Sequence, residues 1–150
     1  MIVRLTKEFA FEASHFLPGY RGRCANIHGH SYRLFVTIRG VPRDEPGHPE
    51  DGMLIDFGVL KRCVHTAVID CLDHSLMVRG GSWAELTRLL DGRMRVVELP
   101  FQPTCENLLQ WMAGRLMPLL PAGVSLFSLR LHETRTSYAE WFASEQGASG

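Results

Sequence analysis

Arg21-Gly22-Arg23-Cys24-Ala25-Asn26-Ile27-His28-Gly29-His30-Ser31-Tyr32-Arg33 is the stretch whose reading decides the fold. His28 and His30 stand two apart at the head of Tyr32-Arg33-Leu34-Phe35-Val36-Thr37-Ile38, which reads as a β-strand, so both imidazoles project from one face. A third donor, His15, ends an earlier strand-like run, and pairing of the two runs as a ribbon brings the three histidines to one end. Three histidines suit zinc, and a three-ligand site leaves the fourth position for water or substrate, the catalytic pattern. Cys24 lies four residues before His28 in a loop containing Gly and Arg. Its thiol is a candidate fourth ligand, nucleophile or base.

Outward from this stretch, Ile2 to Ser14 alternates, with Val3, Leu5, Phe9, Phe11 and Ala13 on one face and His15 continuing their parity. In the second strand His28, His30, Leu34, Val36 and Ile38 share a face, so a metal would sit at the edge of a core. Asp56 is placed as the N-cap of an amphipathic helix in which Phe57, Leu60, Val64, Ala67, Val68 and Cys71 recur at helical spacing. Leu72-Asp73-His74-Ser75-Leu76 reads as a turn, with Asp73 and His74 structural on that evidence. Ser82 to Leu90 is expected as a short helix capped by Ser82 or the Gly pair before it, and Arg93 to Leu99 as a short strand. Thr104 caps a second long helix whose first turn holds Glu106, a placement that suits the helix dipole. Val124 to Glu133 is strand-like, with Phe127, Leu129, Leu131 and Glu133 on one parity, and Thr136 to Phe142 closes the fold before a frayed tail, Glu145 to Gly150. This order predicts an α+β fold: an antiparallel four-stranded sheet with both long helices on one face. The other face, expected to carry Phe and Leu, needs a partner, so an oligomer is expected.

At 150 residues the chain suits one domain over its whole length, with a core that needs no staples. Sixteen basic and sixteen acidic residues cancel, which points away from nucleic-acid and membrane partners and toward a small substrate. Met1 to Glu8 alternates and does not form an apolar run, so no signal peptide is expected, and no stretch approaches transmembrane length. The expectation is a cytoplasmic protein. Cys24, Cys63, Cys71 and Cys105 form no C-x-x-C pair, and among them only Cys24 has neighbours that suggest chemistry.

Taken together, Phe11-Glu12-Ala13-Ser14-His15, Cys24-Ala25-Asn26-Ile27-His28-Gly29-His30, Gly52-Met53-Leu54-Ile55-Asp56-Phe57, Leu72-Asp73-His74, Pro103-Thr104-Cys105-Glu106-Asn107 and His132-Glu133-Thr134 resemble the 6-pyruvoyl-tetrahydropterin synthase family. Within it they are most similar to the bacterial 6-carboxytetrahydropterin synthases of queuosine biosynthesis. The resemblance implies the tunnelling fold, in which subunits join their sheets into a barrel and two trimers stack as a homohexamer. It implies Zn2+ held by His15, His28 and His30. Cys24 would be the proton-transfer residue, with Asp73 and His74, from a neighbouring subunit, completing its relay. Glu133 would anchor the pterin, with Thr104 and Glu106 lining that pocket. The implied substrate is 7,8-dihydroneopterin triphosphate. Carboxy-forming members release acetaldehyde and pyruvoyl-forming members eliminate triphosphate; the Cys24 to His28 spacing resembles the former. A non-catalytic protein that closes its zinc site with Cys24, or one that binds pterin without turnover, are the competing readings. The segment Val78 to Val97, including Gly80-Gly81-Ser82-Trp83, exceeds what a minimal member needs and has no role on this reading.

Overall fold

In the computed structural model, which describes residues 1–82 and 84–147, a curled six-stranded sheet has the order β4-β3-β1-β2-β5-β6. β1 (Val3–His15) and β2 (His28–Gly40) pair antiparallel along their whole length, from Val3 opposite Gly40 to His15 opposite His28. β5 (Val124–His132) pairs antiparallel with β2, and β6 (Tyr138–Phe142) with β5. These are the four antiparallel strands expected from the alternation. The sheet differs from that expectation by two further strands, β3 (Ser75–Arg79) and β4 (Val96–Leu99), which run parallel to β1 and to each other.

Between β3 and β4 lies helix α3 (Ala84–Leu90), so the segment with no role in the sequence reading is a β-α-β crossover that widens the sheet. Of the residues proposed to start that helix, Trp83 lies outside the described residues, as do Ala148 to Gly150 of the tail. Ser75 and Leu76, expected in a turn, instead open β3. Ser75 to Val78 are all buried, so β3 lacks the alternation of a half-exposed strand. Its Met77 joins the main core, while Leu76 and Val78 form a second cluster with Phe16, against which Leu86 and Leu90 of α3 pack. α3 therefore covers one corner of the face opposite the long helices.

The first long helix is α1 (Phe57–Val64), continued by a π-helical turn, His65–Ile69, and a last short piece, α2 (Asp70–Leu72). Asp56 caps it, its Oδ1 accepting from the Gly58 and Val59 amides at 2.6 and 3.3 Å. α4 (Cys105–Leu116) is capped by Thr104, whose hydroxyl oxygen accepts from Asn107 N at 3.3 Å. Leu60, Val64 and Val68 from one helix and Leu108, Leu109 and Met112 from the other bury against Phe9, Phe11, Leu34, Val36 and Leu129, so both long helices lie on one sheet face as predicted.

The opposite face differs from its expectation. The sheet's leucines turn inward, and the open face carries Phe35, Phe127 and Phe142 among Arg33–Glu8 and Arg130–Glu140 ion pairs. Phe127, expected to share the inward parity of Leu129, lies on the open face under the Arg4 guanidinium, 3.8 Å from its ring centre. The cause is a bulge: Thr37 pairs with Ser128 but Ile38 with Leu126, so one extra residue in β5 flips the parity and buries Leu126 in its place. Among the described residues no helix is long and apolar enough to cross a membrane.

Candidate functional site

The register that sets His15 opposite His28 and Ala13 opposite His30 delivers three imidazoles to one end of the β1–β2 ribbon. His28 Nε2 and His30 Nε2 each lie 3.1 Å from His15 Nε2. The other ring nitrogens of His15 and His28 are held by main-chain carbonyls. His15 Nδ1 donates to Pro103 O at 2.7 Å and His28 Nδ1 to Asn26 O at 2.7 Å. That fixes the tautomer: with the proton on Nδ1, each Nε2 presents a lone pair to the other rings. Lone pairs converging at such distances repel unless a cation lies among them. A tetrahedral zinc with Zn–N of about 2.0–2.1 Å separates its ligand nitrogens by about 3.3 Å, so the spacing fits that ion. Three neutral nitrogen donors suit zinc or a similar transition metal and not calcium or magnesium, which take oxygen.

His15 is 2 % exposed. Burial pulls its pKa below the ordinary imidazole value; the Pro103 hydrogen bond and the Glu133 charge oppose that and His28 adds to it. His30 is lowered too, again chiefly by burial. Both effects keep the rings neutral and ready to ligate. Glu133, just beyond the end of β5, approaches from the third strand, with Oε1 3.3 Å from His15 Nε2 and 3.5 Å from His30 Nε2. Among the described residues, the donors that come within 4.8 Å of one another are those of His15, His28 and His30. The Cys24 thiol is not in that group. Cys24 lies half-buried on a 3-10 turn, Arg23–Ala25, tied to the preceding loop by Leu17 N donating to Cys24 O at 2.8 Å.

Asp73 and His74 form a pair on the far side of β1, His74 Nδ1 lying 3.0 Å from Asp73 Oδ1. The pair is pinned to Glu12, whose amide donates to Asp73 Oδ1 at 2.9 Å and whose carbonyl accepts from His74 N at 2.6 Å. Burial alone would raise the Asp73 pKa, but the Glu12 amide and His74 outweigh it and hold the carboxyl below its ordinary range. The His74 side chain is 78 % exposed and its backbone is left-handed, with φ of 55°. Arg95, at the end of the α3–β4 connection, donates to the carbonyls of Asp70 and Cys71 and so ties down the helix end that leads into the pair. A cavity of about 330 Å³ here is lined by Glu12, Ser14, His30, His74, Met94 and Arg95. Among the described residues no hydrogen bond joins Cys24 to Asp73 or His74.

Thr104 sits next to the carbonyl that orients His15, and Glu106 is exposed two residues on. Two participants had no legible signal: the Pro103 and Asn26 carbonyls are backbone atoms, which any residue supplies. A third, Tyr32, was readable only by parity. Its ring is fully buried, stacked on Phe11 with centroids 4.9 Å apart and edge-on to His30 at 5.5 Å. Among the described residues its hydroxyl has no hydrogen-bond partner, a burial that costs about 1–3 kcal/mol. Burial, with Glu133 and Cys105 nearby, pushes its pKa far up, and the buried Cys105 thiol is pushed up to about 11, mainly by burial.

The 6-pyruvoyl tetrahydropterin synthase family model matches residues 4–144, a span that holds the three-histidine ribbon end, the Asp73–His74 pair and Glu133. The chain belongs to this family. A relative from Haemophilus influenzae named 6-carboxy-5,6,7,8-tetrahydropterin synthase is 33% identical over 143 residues, covering 92% of this chain and 97% of the relative. One of the same name from Synechocystis sp. is 34% identical over 138 residues, covering 91% of each. Among solved structures, the 6-pyruvoyl tetrahydropterin synthase of Caenorhabditis elegans superposes with a TM-score of 0.68 at 22% identity, over 95% of this chain and 96% of that one. That of Plasmodium vivax gives 0.69 at 21% identity, over 94% and 97%. As a pterin synthase family member the chain is assigned to the enzymes that act on pterins.

Proposed function

We propose that the protein is a zinc-dependent 6-carboxy-5,6,7,8-tetrahydropterin synthase that converts 7,8-dihydroneopterin triphosphate with release of acetaldehyde and triphosphate, in the cytoplasm and in a queuosine-type deazapurine route. The observation that carries the reading is the convergence of three Nε2 atoms, two of them with Nδ1 committed to main-chain carbonyls. Zinc bound there supplies Lewis acidity toward the oxygens of the substrate side chain. The chain supplies the rest. Cys24 takes a proton from the substrate side chain, and the Asp73–His74 pair relays it. Glu133 accepts the paired N–H groups along one pterin edge, as a carboxylate accepts an arginine fork, and Thr104 and Glu106 line the pocket beside it.

The relatives named for the carboxy product, at 33 and 34% identity, favour that branch over the pyruvoyl one. The absence of the Cys24 thiol from the converging group favours an open fourth position over a closed structural site. Zinc-loaded protein incubated with 7,8-dihydroneopterin triphosphate should yield acetaldehyde and the 6-carboxy product. A pyruvoyl product would move the assignment to the other branch, and no product at all would leave a binding protein.

We also infer a homohexamer of two stacked trimers, each with its sheets joined in a barrel and its active sites shared between subunits. β3 pairs with β1 only at Ala13 to His15, so the outer edge of β1 from Val3 to Phe11 has no strand beside it among the described residues, and β6 forms the opposite free edge. Two open edges on one curled sheet suit closure by copies of the chain. Light scattering showing a stable monomer at micromolar concentration would count against this.

A further inference from the structure

The buried Tyr32 hydroxyl is the polar atom in this site that neither the fold nor the mechanism above uses. Its ring cannot swing: Phe11 stacks on one face of it and His30 and His15 meet it edge-on at 5.5 and 6.3 Å. Its location follows from the strands. β2 and β5 pair Arg33 with His132, and one further step of that register sets Tyr32 opposite Glu133. Residues directly opposite on one face of an antiparallel pair are side-chain neighbours. Glu133 has complementary needs. An ionised carboxylate only accepts hydrogen bonds, and the contacts of this one run through Oε1 to the Nε2 atoms of His15 and His30. Those nitrogens donate nothing once their protons reside on Nδ1 and their lone pairs serve a cation. A glutamate that must present both oxygens in one plane to a ligand then lacks a donor to set that plane. The hydroxyl across the ladder is one.

We propose that Tyr32 is a positioning residue for the pterin anchor: when the three histidines hold a metal, the Tyr32 hydroxyl donates to the Glu133 carboxylate and fixes the orientation in which it receives the pterin edge. The pterin half of this rests on the function proposed above; the hydrogen bond does not. Tyr32→Phe keeps the ring and its packing and removes one oxygen. In the zinc-loaded protein the variant should bind neopterin at least tenfold more weakly and show a raised KM with kcat within about twofold, the pattern of lost uniform binding. Zinc content should match the wild type. The contact is read without substrate by thermal melting of zinc-loaded Tyr32→Phe, Glu133→Ala and the double variant. Tyr32→Phe should lower the melting temperature when Glu133 is present and not in the Glu133→Ala background, because coupled partners are non-additive.

Additive melting shifts would overturn the proposal, as would unchanged neopterin affinity in a variant whose wild type binds it. Loss of zinc from Tyr32→Phe would make the hydroxyl part of the metal site's support and overturn it as well. Coupled melting shifts in a protein that binds no neopterin would sustain the hydrogen bond and sink the pterin reading instead.

Discussion

The histidine cluster and the Cys24, Asp73 and His74 set draw on the same kinds of side chain, yet the chain finishes one and leaves the other apart. His15, His28 and His30 stand on two strands paired residue by residue, and the Nε2 atoms of His28 and His30 each lie 3.1 Å from that of His15, with the Pro103 and Asn26 carbonyls holding His15 and His28 from behind. Cys24 rides a single 3-10 turn, while His74 points out from the opposite edge of β1. Groups that must hold a fixed polyhedron sit on regular structure, where register sets distance to a fraction of an ångström. On the proposed function, the groups that meet the substrate sit on loops at an open edge, where a second subunit would complete them. The two sets should therefore fail separately.

The largest effect should come from the finished half. His28→Ala removes a ligand and leaves His15 and His30 as a pair, so zinc content measured by atomic absorption should collapse and turnover with it, since metal affinity is bought jointly by all ligands. Zinc retained at one per chain would break the assignment. Next, Cys24→Ala should keep zinc at the wild-type level while turnover drops roughly 10² to 10⁴-fold, the loss expected for a general base. His74→Ala should cost less and combine with it less than additively. A Cys24 variant that loses its metal would merge the two halves into one closed site.

Acid should act on the finished half as well. Burial holds the His15 and His30 pKa values below the ordinary 6.5, so the unfolded chain takes up these protons first. Their contribution to metal-free stability is complete above about pH 6.5 and is lost as pH falls from there through the lower folded values. Urea midpoints of chelator-treated protein should thus be flat from pH 8 to 7 and fall by pH 5.5. A midpoint that rises on acidification would contradict the neutral-imidazole site. The smallest effect concerns neither half: Asp56→Ala should cost about 1 kcal/mol through its lost cap, roughly 2–4 °C in melting temperature, with kcat unchanged.

Much of this was legible because alternation carries it. His15 and His28 could be assigned to the buried face from parity with Phe11 and Leu34, and Asp56 and Thr104 could be read as caps from the helical runs they precede. Three things were not legible. β3 is a short apolar run buried on both sides, and such a run carries no period to separate strand from turn. The bulge in β5 inserts one residue, and nothing in Leu126-Phe127-Ser128 marks where parity breaks. The π-helical turn at His65–Ile69 leaves the apolar spacing of its helix nearly intact. At the site, the meeting of His15, His28 and His30 at one end of the ribbon was readable from the strands, but the Pro103 and Asn26 carbonyls that orient two of them, and the place where Glu12 meets Asp73 and His74, were not.

His74 is the one residue other than glycine among those described to hold a positive φ, at 55°. Left-handed backbone in a residue with a Cβ carries a cost of about 1–2 kcal/mol, and asparagine bears it more easily than most. His74→Asn would therefore keep or raise the melting temperature while deleting the imidazole. A campaign that selected variants of this protein for heat resistance alone would drift toward that substitution and retain a sturdier molecule without the imidazole to which the proposed function assigns the relay. On the proposed function, selection for turnover at modest temperature should restore the histidine.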